Sequence, residues 1–265
     1  LRDNNIGVAL MGETFMRSPN KVEKLSYLYG PTYYTPKVKM CGISKVETIP
    51  AIIDAKPDYM GLVFAPSKRQ VTLEQAKTLV EELHKQYAVR YNSRTEHTAV
   101  LTSLEPTNSE TIKTVGVFVN ETVENLLKIA EEVKLDVIQL HGDEDESFIQ
   151  ILKEQSNVEV WKAVQVRSAA DAEKWIDSSA DMLLFDAYHK DERGGTGEVF
   201  DWSSLDEFER PFMLAGGIDS TNVARAIRTV RPYGLDISSG IETNGVKDNE
   251  KMKAFTNIVR TVALS

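Results

Sequence analysis

The 265-residue chain has one cysteine, four histidines and no long run of apolar residues. A single cysteine excludes an internal disulfide and suits a reducing compartment such as the cytoplasm. The few histidines and the lone thiol are not spaced as ligands, so no metal is expected in the chemistry. No apolar stretch approaches the ~18 residues of a membrane-spanning helix, and nothing at the start reads as a signal peptide. Positive charge is also scarce: 31 Lys and Arg face 40 Asp and Glu, for a formal net charge of -9. Nucleic acid and anionic membrane are therefore excluded as partners. A small anionic substrate is not, because a local nest of backbone N–H groups outweighs a distant negative surface.

What is present is a regular alternation from residue 37 onward. Strand-like runs occupy 37–42, 58–64, 114–120, 136–142, 158–166, 181–186, 211–217 and 234–240. Helix-patterned stretches follow at 45–55, 72–86, 123–133, 144–155, 169–176, 220–230 and 249–262, with a short helix between the sixth and seventh strands. Thr72 followed by Gln75 is a capping-box signature at the second helix. Strict strand–helix alternation implies parallel strands with right-handed crossovers. Eight units in this length predict an α/β fold, a closed (β/α)8 TIM barrel. The alternative, an open doubly wound sheet, lacks a G-x-G-x-x-G after its first strand.

Two stretches break the alternation. Residues 88–113 are polar and read as a surface insertion at the bottom of the barrel. Residues 1–36 read as a strand, a turn and a helix start, followed by a linker with Pro31 and Pro36.

Reactive groups in such a barrel sit at the carboxyl ends of the strands. Two features stand out there. The turns A-G-G-I-D-S and S-S-G-I-E follow strands seven and eight, with Gly216, Gly217, Ser238, Ser239 and Gly240. Glycines let a phosphate approach the backbone, and two such turns side by side predict a phosphate site. The second feature is Cys41 at the end of strand one with Asp186 at the end of strand six. A strand-ending cysteine is commonly a small buried hydrophobe. A carboxylate ending M-L-L-F-D is harder to dismiss, being costly to bury unless paired or used. Lys39 lies on the same face of its strand as Cys41 and is placed to favour the thiolate. Asp236, inside the last strand, reads as a brace for the barrel.

Seven strings, in order, carry a family resemblance: K-M-C-G-I (39–43), G-L-V-F-x-P-S-K-R (61–69), V-G-V-F-V-N (115–120), Q-L-H-G-D-E (139–144), G-G-T-G-x-x-F-D-W (194–202), A-G-G-I (215–218) and D-I-S-S-G-I-E (236–242). From residue 37 to the C-terminus the chain resembles phosphoribosylanthranilate isomerase. The resemblance implies a cofactor-free Amadori rearrangement of a phosphorylated small molecule in tryptophan biosynthesis. It implies Cys41 as general base, Asp186 as general acid and Arg69 as the grip on the anthranilate carboxylate. Gln139 and His141 would line the mouth, with His141 stacked on the substrate ring or serving the structure. The loop 191–197, with Gly195, would close over the phosphate or sugar. Asp186 must hold its proton, which calls for an apolar site or a nearby negative charge. Residues 1–36 are similar to the end of indole-glycerol-phosphate synthase, which implies a multifunctional polypeptide that also carries a glutamine amidotransferase. Two other readings stay open: the sugar-phosphate isomerase of histidine biosynthesis, and a non-catalytic barrel fused to a synthase.

Overall fold

In the computed structural model, which describes residues 35–95, 111–187, 202–205 and 207–262, eight parallel strands close into a barrel in chain order. The strands are β1 (Lys37–Cys41), β2 (Tyr59–Val63), β3 (Lys113–Phe118), β4 (Val137–Leu140), β5 (Glu159–Val166), β6 (Met182–Ala187), β7 (Phe212–Ala215) and β8 (Gly234–Ile237). The ring is shut by β1 against β8, with Lys39 opposite Asp236. Around it stand α1 (Ile49–Ala55), α2 (Leu73–Thr95), α3 (Val123–Val133), α4 (Glu146–Gln155), α5 (Ala169–Glu173), α6 (Val223–Val230) and α7 (Asn249–Val262).

Period-two alternation divides the apolar residues into two cores. Val38, Met40, Met60, Leu62, Phe185, Leu214 and Leu235 face the helices. Tyr59, Val115, Val137, Trp161, Leu184 and Met213 fill the barrel, where the rings of Tyr59 and Trp161 meet edge-on at 4.8 Å. This parity decides the site. With Val38 and Met40 facing the helices, Lys39 and Cys41 face the interior. The same rule turns Gln139, His141, Asp186 and Asp236 inward.

Side chains cap the helices where the sequence signalled it. Gln75 N donates to Thr72 Oγ1 (3.2 Å) and Thr72 N donates to Gln75 Oε1 (2.9 Å), a complete capping box. Thr122 accepts from Asn125 N, and Asp145 from Phe148 N.

The boundaries differ from the sequence reading in ways that have local causes. α2 continues past Gln86 to Thr95 and absorbs the first part of the polar stretch. Tyr87 packs on the outer core, Gln86 bonds Glu82 (2.7 Å), and Arg90 pairs with Asp54, so a polar segment is held helical. Residues 96–110 of that stretch lie outside the described residues, as do 1–34. β1 ends at Cys41 because Gly42 is left-handed (φ 78°), and β7 ends before Gly216 (φ 86°) and Gly217 (φ 63°). α6 starts at Val223, three residues later than expected, because Asp219 Oδ1 gathers the N–H groups of Thr221 and Asn222 into a turn. A hairpin of β9 (Glu242–Thr243) and β10 (Val246–Lys247) follows β8 and was not anticipated.

Candidate active site

Cys41 closes β1 at the carboxyl end of the barrel, buried at 9% exposure. Gly61 on β2 makes the room: a Cβ there would stand 2.9 Å from Cys41 Sγ. Behind the thiol lies Lys39, fully buried, its Nζ 2.8 Å from Asp236 Oδ2. Burial pulls the Lys39 ammonium down, but Asp236 and Cys41 outweigh it and leave the pKa raised, so the charge persists. For Cys41, burial pushes the thiol up, Lys39 pulls it down, Asp236 pushes it up again and Lys247 opposes. The rise wins. Lys39 thus acts in the expected direction, but desolvation of the anion outweighs it. Replacing Lys39 with Met is expected to move the pH midpoint of iodoacetamide alkylation at Cys41 upward. An unchanged midpoint would leave Lys39 without this part.

Asp186 rises from β6 at the same end of the barrel. Its side chain is 32% exposed. Its partner is His141, whose Nε2 lies 3.3 Å from Asp186 Oδ2. His141 Nδ1 in turn lies 3.1 Å from Nε2 of the buried Gln139. The loop that carries His141 is pinned from behind. Glu144 pairs with Lys162 (3.0 Å), both nearly inaccessible, and accepts from the N–H groups of Asn120 (2.7 Å) and Gly142 (2.8 Å).

Arg69 is already held on one side. Its Nε and Nη2 donate to the two carboxylate oxygens of Glu242, at 2.6 and 2.9 Å. Lys247 Nζ donates to Glu242 Oε1 (2.9 Å). The Arg69 guanidinium holds the Glu242 carboxyl down to about 2, helped by Lys247 against the effect of burial. A guanidinium has two bidentate edges. Glu242 takes the Nε–Nη2 edge, and the Nη1–Nη2 edge stays available. Gly42 matters here too, because the Arg69 side chain packs where a Cβ on residue 42 would stand. Lys68, 3.9 Å from Glu242, is well exposed.

The two glycine turns meet above β7 and β8. A Cβ on Gly240 would run into the Ile218 carbonyl, so the absence of a side chain lets the loops pack together. Ser238 Oγ donates to the Cys41 carbonyl (3.1 Å), and Lys247 Nζ donates to the Ser238 carbonyl (2.8 Å). Just before α6, Asp219 Oδ1 accepts from the N–H groups of Thr221 and Asn222. The short turn Ser239–Ile241 and the left-handed pair Gly216–Gly217 remain, with the buried Lys247 beside them. Gly195 lies outside the described residues.

Glu242 and Lys247 were missed as site residues. The signal was present: Asn244-Gly245, both left-handed, is the preferred pair of a two-residue hairpin, and it sets Lys247 opposite Glu242.

Comparison with known proteins agrees with this geometry. Residues 88–258 match the family model for N-(5'-phosphoribosyl)anthranilate (PRA) isomerase. An N-(5'-phosphoribosyl)anthranilate isomerase of a Thermoanaerobacter species is 44% identical over 228 residues, 85% of this chain and 98% of the relative. That of Clostridium acetobutylicum is 40% identical over the same length, 84% of this chain and 98% of the relative. Among solved structures, the phosphoribosyl anthranilate isomerase of Thermotoga maritima superposes with a TM-score of 0.68 at 32% identity, covering 85% of this chain and 99% of that one. A phosphoribosyl anthranilate isomerase in complex with reduced 1-(o-carboxyphenylamino)-1-deoxyribulose 5-phosphate gives 0.66 at 30% identity, with the same coverage. Sequence, barrel and mouth lead to one conclusion: the chain belongs to the N-(5'-phosphoribosyl)anthranilate isomerase family.

Proposed function

We propose that the chain converts N-(5-phosphoribosyl)anthranilate to 1-(2-carboxyphenylamino)-1-deoxyribulose 5-phosphate with Cys41 as general base and Asp186 as general acid. One observation carries this reading: a single thiol and a carboxyl from distant strands are turned into the same barrel mouth. The reaction needs one acid and one base. Asp186 gives a proton to the ring oxygen, the C1–O bond breaks, and the anilino nitrogen closes a protonated imine. Cys41 takes the proton from C2, and the freed electron pair forms the enolamine. The thiol then returns a proton to C1 while the enol hydroxyl proton goes to Asp186, which resets both groups. Burial raises the pKa of the Cys41 thiol, so Cys41 passes its proton to solvent before it acts and takes up the C2 proton as a thiolate. The positive charge of the imine, formed next to C2, opposes that effect and favours the thiolate when it is needed.

Substrate contacts follow from the free edges. Arg69 takes the anthranilate carboxylate on its Nη1–Nη2 edge while Glu242 keeps the other. Gln139 and His141 line the wall beside the reacting sugar. The phosphate lies against Gly216, Gly217, Ser238, Ser239 and Gly240, with Lys247 supplying charge. Replacing Arg69 with Ala removes hydrogen bonds to a charged group, each worth about 1.5–3 kcal/mol. KM is expected to rise roughly 10- to 100-fold with kcat less affected. An unchanged KM returns Arg69 to the surface.

The setting of the enzyme belongs to the same proposal. No helix among the described residues is long and apolar enough to cross a membrane. With a single cysteine, the chain fits a reducing cytoplasm. Residues 1–36 are the tail of an indole-glycerol-phosphate synthase-like barrel within a longer tryptophan-pathway polypeptide that also holds a glutamine amidotransferase. The activity is tested by adding the chain to N-(5-phosphoribosyl)anthranilate and following the loss of its fluorescence, which a non-catalytic barrel would leave unchanged.

A further inference from the structure

We infer that His141 is a positioning residue for the general acid: its Nε2–H, with Gln139 against the other ring nitrogen, holds one oxygen of Asp186 and stabilises the carboxylate as its proton leaves. The inference rests on the reading of Asp186 given above. Both imidazole nitrogens face polar partners within hydrogen-bond distance, Gln139 Nε2 on one side and Asp186 Oδ2 on the other. A carboxylate oxygen can only accept, so once Asp186 is ionised Nε2 bears the hydrogen and the bare Nδ1 accepts from the Gln139 amide. The opposite tautomer would set the bare Nε2 lone pair against a carboxylate oxygen. Gln139 is 1% exposed and sits two residues before His141 on the same strand face, so the ring is backed by a group with little room to move. The pinned loop behind His141, held by Glu144 and Lys162, fixes the ring in turn.

The consequence for catalysis is differential. A neutral carboxylic acid accepts a hydrogen bond weakly, and a carboxylate accepts it strongly. As Asp186 hands its proton to the ring oxygen, the bond from Nε2–H strengthens, which stabilises the transition state more than the ground state. Holding Oδ2 also leaves Oδ1 to carry the proton toward the sugar. Among the described residues, Asp186 is the sole acid within 4 Å of the imidazole. Val117, opposite Gln139 on β3, and Ala163, the inward residue after Lys162 on β5, carry no charge.

The test uses the whole chain with His141→Ala and His141→Gln. The Gln side chain can place an N–H near the position of Nε2 but cannot titrate. His141→Ala is expected to lower kcat about 10- to 100-fold, the size of one hydrogen bond to a charged group, with KM nearly unchanged. His141→Gln is expected to restore most of the loss. Nitrogen-15 NMR of the wild-type chain is expected to show a neutral imidazole with hydrogen on Nε2 and none on Nδ1. That measurement needs no variant to fold. A kcat for His141→Ala equal to wild type, a His141→Gln variant as impaired as the alanine, or a ring protonated on Nδ1 alone would overturn the inference. If the wild-type chain consumes no phosphoribosylanthranilate, or Asp186→Asn turns over normally, it is the reading of Asp186 that has failed.

Discussion

Replacing Cys41 with alanine is expected to lower kcat by about 10³, the middle of the range for a general base. The loss should fall on kcat and kcat/KM alike, because a thiol that acts on C2 contributes to the transition state and little to binding. Folding should be nearly undisturbed. The thiol is a small buried group beside Gly61, and losing one sulfur leaves a minor gap. The measurement is steady-state turnover together with the thermal transition of both proteins. Near-normal kcat in a folded Cys41→Ala chain removes the thiol from the mechanism. Because the chain has no other cysteine, alkylation gives an independent check on the same group. One equivalent of iodoacetamide should abolish turnover, and bound product should slow the modification.

Replacing Asp186 with asparagine is expected to cost a similar factor, about 10³ in kcat. Asn keeps the shape and can still accept from His141 Nε2, but it has no acidic proton for the ring oxygen. The furanose must then open without assistance. Binding should survive, since the Arg69 edge and the glycine turns do not depend on Asp186. A variant with KM near wild type and kcat lowered about 10³-fold is the expected pattern. If KM rises while kcat holds, Asp186 is a binding group and the acid lies elsewhere. Asp186→Asn combined with His141→Ala separates the two contributions. With the proton gone, losing His141 should cost little more, a non-additive result typical of residues that act as a unit.

The barrel was legible because its signals are local. Period-two apolar runs, the Thr72–Gln75 capping box and the amphipathic stretch of α3 each speak for the residues that carry them. The inward turn of Cys41 and Asp186 followed from parity alone. Pairings across the chain were not legible. Lys39 meets Asp236 over 197 residues and Arg69 meets Glu242 over 173, contacts that only the closed ring creates. The contrast at Asp186 is the most instructive. A carboxylate ending an apolar strand must be paired or used, but the sequence does not say with what; the partner, His141, comes from the end of another strand. The polar segment after Gln86 misled for a related reason. Its helix depends on Tyr87 reaching the outer core, a tertiary contact that composition does not reveal.

Proton transfer by one thiol and one carboxyl in a single mouth is best tested by removing both at once. The fluorescence of N-(5-phosphoribosyl)anthranilate should fall rapidly with the wild-type chain. With a folded Cys41→Ala/Asp186→Asn chain it should fall no faster than without protein. A double variant that consumes the substrate at the wild-type rate would contradict the account.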